Sequence, residues 1–327
     1  MTSWQGASVL ITGGTGSFGK AFTRRLLDDD AARRIVLYSR DELKQYEVRQ
    51  AFGDDPRLRW MIGDVRDKER LVRAMHGVDF VVHAAALKQV DTAEYNPFEA
   101  VKTNVIGSQN VIDAAIDSGV KRVVALSTDK ASSPINLYGA TKLCADKLFI
   151  AGNHYAAASE TRFSVVRYGN VVGSRGSVVP FFQRLVAGGA TRLPITDERM
   201  TRFWITLPQA VQFVLDAFER MHGGELYVPR IPSMRIVDLA RVLAPGLPHD
   251  VIGIRPGEKL HEEMISAEDS HRTLRFDDHY LVRPVVAEWG AEPAQGGEPV
   301  DDGFIYRSDL NDQWVTPDQL AGMVSAS

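Results

Sequence analysis

Residues 11–22 read ITGGTGSFGKAF, and this stretch decides the fold. A β-branched run, SVLIT (8–12), precedes it and an amphipathic stretch (18–28) follows. Its glycines are spaced Gly13-x-x-Gly16-x-x-Gly19. Between a strand and a helix, such a turn brings backbone N–H groups and a helix N-terminus up to a pyrophosphate. A dinucleotide is therefore expected against Gly13, Gly16, Ser17, Phe18 and Gly19.

Outward from that turn, short β-branched runs alternate with longer amphipathic stretches. The runs are RIVLY (34–38), LRWMI (58–62), DFVVHA (79–84), RVVALS (122–127) and FSVVRY (163–168). Helices are predicted near 41–51, 67–75, 97–118 and 137–155. This alternation indicates βα units, and hence an α/β, Rossmann-like, doubly wound parallel sheet. After about residue 172 the alternation weakens and Pro and Gly become denser, as in GSRGSVVPFF and APGLPHD. The expected organisation is a Rossmann domain over 1–172 and a smaller, interleaved C-terminal substrate-binding lobe over 173–327. A helix at 208–221, within 205–230, is expected to pack back onto the first domain. Residues 284–303, rich in Pro, Gly and acid, read as a flexible loop, and Thr316-Pro317-Asp318 starts a last helix.

Composition excludes several classes. The 327 residues are 44% apolar and 24% charged, with a net charge of -4. That balance offers no electrostatic footprint for nucleic acid or an anionic membrane. No apolar run approaches the ~20 residues of a span, and the N-terminus lacks the pattern of a signal peptide. The single cysteine, Cys144, forms no internal disulfide and fits a reducing compartment. A cytoplasmic location is expected. No metal site is expected: the eight histidines lack ligand spacing, and His261-Glu262 in KLHEEM lacks the second histidine of a zinc motif.

The second strand ends VLYSRDELK. NAD calls for an acid there to meet its 2′-hydroxyl. Here Ser39, Arg40 and Lys44 suit a 2′-phosphate, so NADP is favoured over NAD. Asp41 reads as a helix N-cap. Asp64 and Val65 fall at the adenine edge, Ala84 to Ala86 allow close backbone approach, and Lys88 is placed to contact cofactor or sugar.

The chemistry lies in STDKASSPINLYGATK (127–142). Tyr138 and Lys142, four residues apart on one helical face, pair a phenol with an ammonium that lowers its pKa. Asp129 and Lys130 add a second acid and a second base, so two proton-transfer sites are indicated. Lys130 serves as a base only when neutral: burial and Lys142 lower its pKa, whereas Asp129 raises it.

TGGTGSFG, HAAALKQVDTAEYNPFEAVKTNVIGSQNV, Tyr-x-x-x-Lys and RYGNVVGSRGSVVPFF together resemble the extended short-chain dehydrogenase/reductase superfamily. Within it, STDKASSPINLYGATKLCADKLF, TDERMTRFWI, IRPGEKLHEEMI and SDLNDQWVT resemble the inverting UDP-N-acetylglucosamine 4,6-dehydratases. Those enzymes open pseudaminic-acid-type sugar pathways. The resemblance runs from residue 8 to about 324 and is weakest over 284–303.

It implies a mechanism. Tyr138, near Lys142, takes the C4 hydroxyl proton while C4 passes a hydride to tightly bound NADP, and Thr128 orients the same oxygen. The C4 ketone acidifies C5–H; Lys130 is the implied base, and Asp129 the acid that protonates the departing C6 hydroxyl. Hydride returns to C6, C5 is reprotonated from the other face, and the cofactor is regenerated each turnover. The resemblance also implies UDP-N-acetylglucosamine contacts at Lys88, Asn170, Val178, Val179, Thr196, Arg202, Arg255 and Glu258, and a homo-oligomer. Asn104 is expected to brace the site through backbone hydrogen bonds. Two other readings remain: a UDP-sugar 4-epimerase, which leaves Asp129 and Lys130 without a task, and a non-catalytic protein on the same fold. A dehydratase retaining C5 configuration is a variant of the first reading.

Overall fold

The computed structural model describes residues 4–174, 176–286, 289 and 296–325. The six sequence-predicted strands are all present: β1 (Ala7–Thr12), β2 (Ala32–Ser39), β3 (Leu58–Ile62), β4 (Phe80–His83), β5 (Arg122–Leu126) and β6 (Arg162–Val166). They lie side by side and parallel in the order β3-β2-β1-β4-β5-β6. Every residue of β1 and β4 is buried, as a parallel strand covered by helices on both faces requires. The strand order reverses between β1 and β4, so their carboxyl ends open a crevice there. Thr12 ties its rim: its hydroxyl lies 2.8 Å from His83 Nδ1 and accepts from the N–H groups of Ala84 and Ala85, both at 3.2 Å.

The sheet is larger than those six strands. Leu226–Pro229 adds a parallel strand to β6, then His279–Val282, Thr273–Arg275 and Glu298–Pro299 continue it antiparallel to ten strands. None of these four exceeds four residues, too short for the sequence to show a period. Glu298–Pro299 falls inside the stretch read as a loop; residues 287, 288 and 290–295 of that stretch lie outside the described residues.

Two apolar cores form. The main one surrounds the sheet and includes the apolar face of the helix Leu207–Arg220, where Trp4 packs edge-on against Phe218 at 4.7 Å. The second gathers Val179, Phe182, Leu193, Ile195, Trp204, Met234 and Leu239 from the C-terminal half. It supports the helices Val178–Ala187 and Ile236–Leu243 and the strand Thr201–Ile205.

The helical stretch expected over 97–118 contains a π turn at Lys102–Ile106. The extra residue in that turn rotates Asn104 inward, a geometry that recurs at functional sites. Asn104 Oδ1 accepts from Leu87 N at 2.8 Å, and its amide donates to Leu87 O at 2.9 Å and Thr141 Oγ1 at 3.0 Å. The Asn104 side chain thereby pins the loop after β4, through the Leu87 backbone, to the helix Leu137–Tyr155, through the Thr141 hydroxyl. A short helix, Val90–Tyr95, adds a turn the sequence pattern did not indicate.

Candidate active site

One cavity of about 920 Å³ lies at the carboxyl ends of β1, β4 and β5 and runs under the C-terminal half. At one end is the glycine turn. Gly13 adopts φ +67°, and a Cβ there would stand 3.0 Å from Ala85 N and 3.1 Å from Ala84 O. A Cβ on Gly19 would meet Gly14 O at 2.6 Å. No side chain caps the helix Ser17–Asp28 at Gly16. Two chain segments thus touch backbone to backbone around an open helix N-terminus, a cradle that fits the pyrophosphate of a dinucleotide.

Gly13, Gly16, Ser17, Phe18, Gly19, Ser39, Arg40, Lys44, Val65, Ala84 and Lys88 all line this cavity. Asp64 does not: its carboxylate turns to Arg66, two residues on, at 2.7 Å and 3.0 Å, and Gly63 and Val65 form the wall instead. Asp41 caps the helix Glu42–Phe52 by accepting from Lys44 N at 3.0 Å. Its carboxylate also meets Lys44 Nζ at 2.9 Å, and Arg40 comes within 3.7 Å of Asp64. Both cations are about half exposed and stand at the mouth.

The helix Leu137–Tyr155, which carries Tyr138 and Lys142, begins at Asn136, whose side chain accepts from Gly139 N at 2.7 Å. A Cβ on Gly139 would fall 2.1 Å from Lys130 O, so only glycine lets this helix rest on the Asp129–Ala131 turn. That contact brings Thr128, Asp129, Lys130, Tyr138 and Lys142 to one wall.

Their electrostatics differ in one respect from the pairing indicated by sequence. Lys142 is buried, donates to Leu126 O at 2.7 Å, and has its pKa lowered by burial against the opposing charge of Asp146. Tyr138 is pushed up to about 12 by burial; what pulls against burial is the charge of Lys130 and a hydrogen bond with Thr128. The cation acting on the phenol is thus Lys130.

Lys130 has two carboxylate neighbours. Its Nζ lies 3.1 Å from Asp129 Oδ1 and 3.1 Å from Glu262 Oε1, and Arg202 Nε stands 3.6 Å from the same Glu262 oxygen. Burial lowers the lysine's pKa, but the two carboxylates raise it further, so Lys130 is held as an ammonium. The carboxylates are driven apart. Burial, aided by Glu262, raises Asp129; burial also penalises Glu262, but Lys130 and Arg202 overcome it and keep Glu262 ionised. Asp129 Oδ2 and Glu262 Oε2 are buried without hydrogen-bond partners. Two carboxyls of opposite tendency around one lysine make a proton-transfer cluster.

Beyond the cluster, Asn170, Val178, Thr196, Arg202, Arg255 and Glu258 line the cavity. Val179 does not: its side chain is fully buried in the second core, because the apolar face of the helix Val178–Ala187 turns that way. Asn170 Oδ1, Ser177 Oγ and Glu258 Oε2 are buried and unpartnered. The residue the sequence reading passed over is Glu262, which draws notice there only as part of an incomplete zinc motif. Its signal was the adjacent pair Glu262-Glu263, whose second member accepts from Ser132 and Ser133 at 2.8 Å and 2.7 Å. Among the described residues no group of His, Cys, Asp and Glu could hold a metal, and no helix is long and apolar enough to cross a membrane.

A doubly wound sheet with a glycine cradle, a Tyr-x-x-x-Lys helix and a cavity that continues under the C-terminal half defines the extended short-chain dehydrogenase/reductase class. Within that class, the chain belongs to the polysaccharide biosynthesis protein family, which it matches over residues 9–284. It is 56% identical to a UDP-N-acetylglucosamine 4,6-dehydratase (inverting) of Campylobacter jejuni, over 98% of both chains. A UDP-glucose 4-epimerase of Rickettsia canadensis is 44% identical, over 84% of this chain and 82% of its own. Among solved structures, DesIV, a dTDP-glucose 4,6-dehydratase from Streptomyces venezuelae with NAD and TYD bound, superposes with a TM-score of 0.69. It is 27% identical, with 77% of this chain and 86% of that one covered.

Proposed function

We propose that the protein is a hydro-lyase that converts UDP-N-acetylglucosamine to a UDP-2-acetamido-2,6-dideoxy-4-keto-hexose with inversion at C5. The observation that carries this reading is the Asp129–Lys130–Glu262 cluster buried beside Tyr138 in the dinucleotide cavity. Oxidation at C4 alone needs one proton-transfer site, and elimination across C5 and C6 needs two more. The near-complete identity span with the inverting dehydratase of Campylobacter supports the same substrate and stereochemistry.

A nicotinamide dinucleotide, when bound, supplies a reversible hydride store. The chain's own residues do the rest. Tyr138 takes the proton of the C4 hydroxyl, and Thr128, hydrogen-bonded to that phenol, orients the same oxygen. Lys130 removes the C5 proton once C4 is a ketone. Asp129, whose carboxyl is pushed up by burial and so favours holding a proton, hands that proton to the C6 oxygen as water departs. Asn170, Arg202 and Arg255 meet the diphosphate, with the helix N-terminus at Val178 beside them, and Glu258 accepts from ribose. Arg40 and Lys44 at the mouth support NADP rather than NAD. The protein acts as a homo-oligomer in the cytoplasm and feeds a pseudaminic-acid-type pathway on this reading.

The 44% identity with a Rickettsia 4-epimerase favours a second reading, in which the hydride returns to C4. Mass spectrometry of UDP-N-acetylglucosamine incubated with the protein separates the two. Loss of one water from the nucleotide sugar supports the dehydratase; an unchanged mass with altered C4 configuration supports the epimerase.

A further inference from the structure

Resting on the dehydratase reading, one buried group still lacks a task. Glu262 is 2% exposed, and its backbone is fixed by a donor bond to Ser308 Oγ at 3.0 Å and an acceptor bond from Ser308 N at 2.8 Å. Its carboxylate lines the cavity with one oxygen on Lys130 and the other unpartnered. A buried, half-satisfied carboxylate is costly unless it is used. Meanwhile the lysine that must take the C5 proton is already charged. A base needs a lone pair, so an ammonium must first lose a proton to something within reach.

We infer that Glu262 is that acceptor: it discharges Lys130 so that the amine can abstract the C5 proton. Among the groups around Lys130, Arg202 is a cation, Lys259 donates to Ser132 O at 2.6 Å, and Tyr138 is committed to the C4 oxygen. Asp129 lies equally near, at 3.1 Å, but as the acid for the C6 oxygen it must carry its own proton when water leaves, so it is not the acceptor. Glu262 is left as the ionised acceptor. An Nζ–H bond breaks and an Oε1–H bond forms, giving a neutral amine beside a neutral carboxyl. The lone pair then takes the C5 proton, the C5–H electron pair becomes the C5–C6 double bond, and the C6–O bond breaks as Asp129 delivers its proton, releasing water. Arg202 opposes protonation of Glu262. The same guanidinium lines the cavity where the diphosphate lies, so a bound diphosphate would draw its charge away and ease the transfer. Glu262 acts through Lys130 and is a positioning residue rather than one that touches the sugar.

The test is Glu262→Gln beside Glu262→Asp in the cofactor-loaded protein with UDP-N-acetylglucosamine in deuterated water. Glutamine fills the same space and keeps a hydrogen bond to Lys130, so a packing role would survive it. The expected result for E262Q is retained C4 oxidation, seen as reduced-nicotinamide absorbance, with deuterium entry at C5 and product formation slowed on the order of 100-fold or more. E262D should recover part of the rate. Wild-type rates in E262Q, or equal loss of C4 oxidation and product in both variants, would overturn the inference. A wild-type protein that makes no 5-deuterated keto sugar would instead sink the dehydratase reading.

Discussion

Lys130 and Glu262 hold their charged atoms 3.1 Å apart although they come from distant parts of the chain, one after β5 and the other beside the strand Glu263–Ile265. This contact converts an Asp-Lys dipeptide into a three-membered acid–base cluster. Replacing Lys130 with Ala removes both the proposed base and the cation facing Tyr138. The expected outcome is loss of dehydration by on the order of 100-fold or more, with C4 oxidation still visible as a transient rise in reduced cofactor. Stopped-flow absorbance alongside product analysis checks it; undiminished product would remove Lys130 from the mechanism.

The cavity mouth gives a cofactor prediction. Arg40→Ala deletes a half-exposed guanidinium that stands 3.7 Å from Asp64. Affinity for NADP should fall roughly tenfold or more, while NAD binding changes little, because a charge-assisted bond to a 2′-phosphate exists only with NADP. Calorimetric titration with both dinucleotides decides. Equal weakening of the two would refute the 2′-phosphate assignment.

Gly13→Ala forces a side chain into a φ +67° backbone and against Ala84 and Ala85. Strain of about 1–3 kcal/mol is expected, with loss of dinucleotide binding because the turn must open. Thermal unfolding with and without NADP measures both, and a variant that binds as tightly as wild type would show that the turn is not the cradle.

His83 offers a pH prediction away from the reacting groups. Burial, with a smaller contribution from Lys142, holds its pKa down to about 3. The unfolded chain binds a proton below about 6.5 and the folded chain does not, so stability falls as pH drops from about 6.5 towards 3. From this group alone the loss is about 2 kcal/mol between pH 7 and pH 5. His83→Gln, which can keep a hydrogen bond to Thr12, should flatten that part of the profile in urea unfolding. An unchanged slope would mean that His83 does not contribute.

The first half of the fold was legible because βα units advertise themselves: buried parallel strands such as β1 are largely apolar and β-branched, and the glycine turn marks the switch point. The antiparallel edge was not, since strands of two to four residues carry no period. In the site, the local cluster from Thr128 to Lys142 was readable because one turn and one helix hold it. Glu262 was not, because its contact with Lys130 is made by tertiary packing alone. Val179 failed for a related reason: which face of the helix Val178–Ala187 turns to the second core depends on packing with residues such as Trp204, not on local sequence.

The most direct measurement is proton NMR of UDP-N-acetylglucosamine incubated with the protein in deuterated water, without added cofactor. The account expects a new C6 methyl signal, deuterium at C5, and ring couplings of the C5-inverted keto sugar. A product that keeps its C6 hydroxyl and differs only at C4 would contradict it and leave the Asp129–Lys130–Glu262 cluster without a reaction to serve.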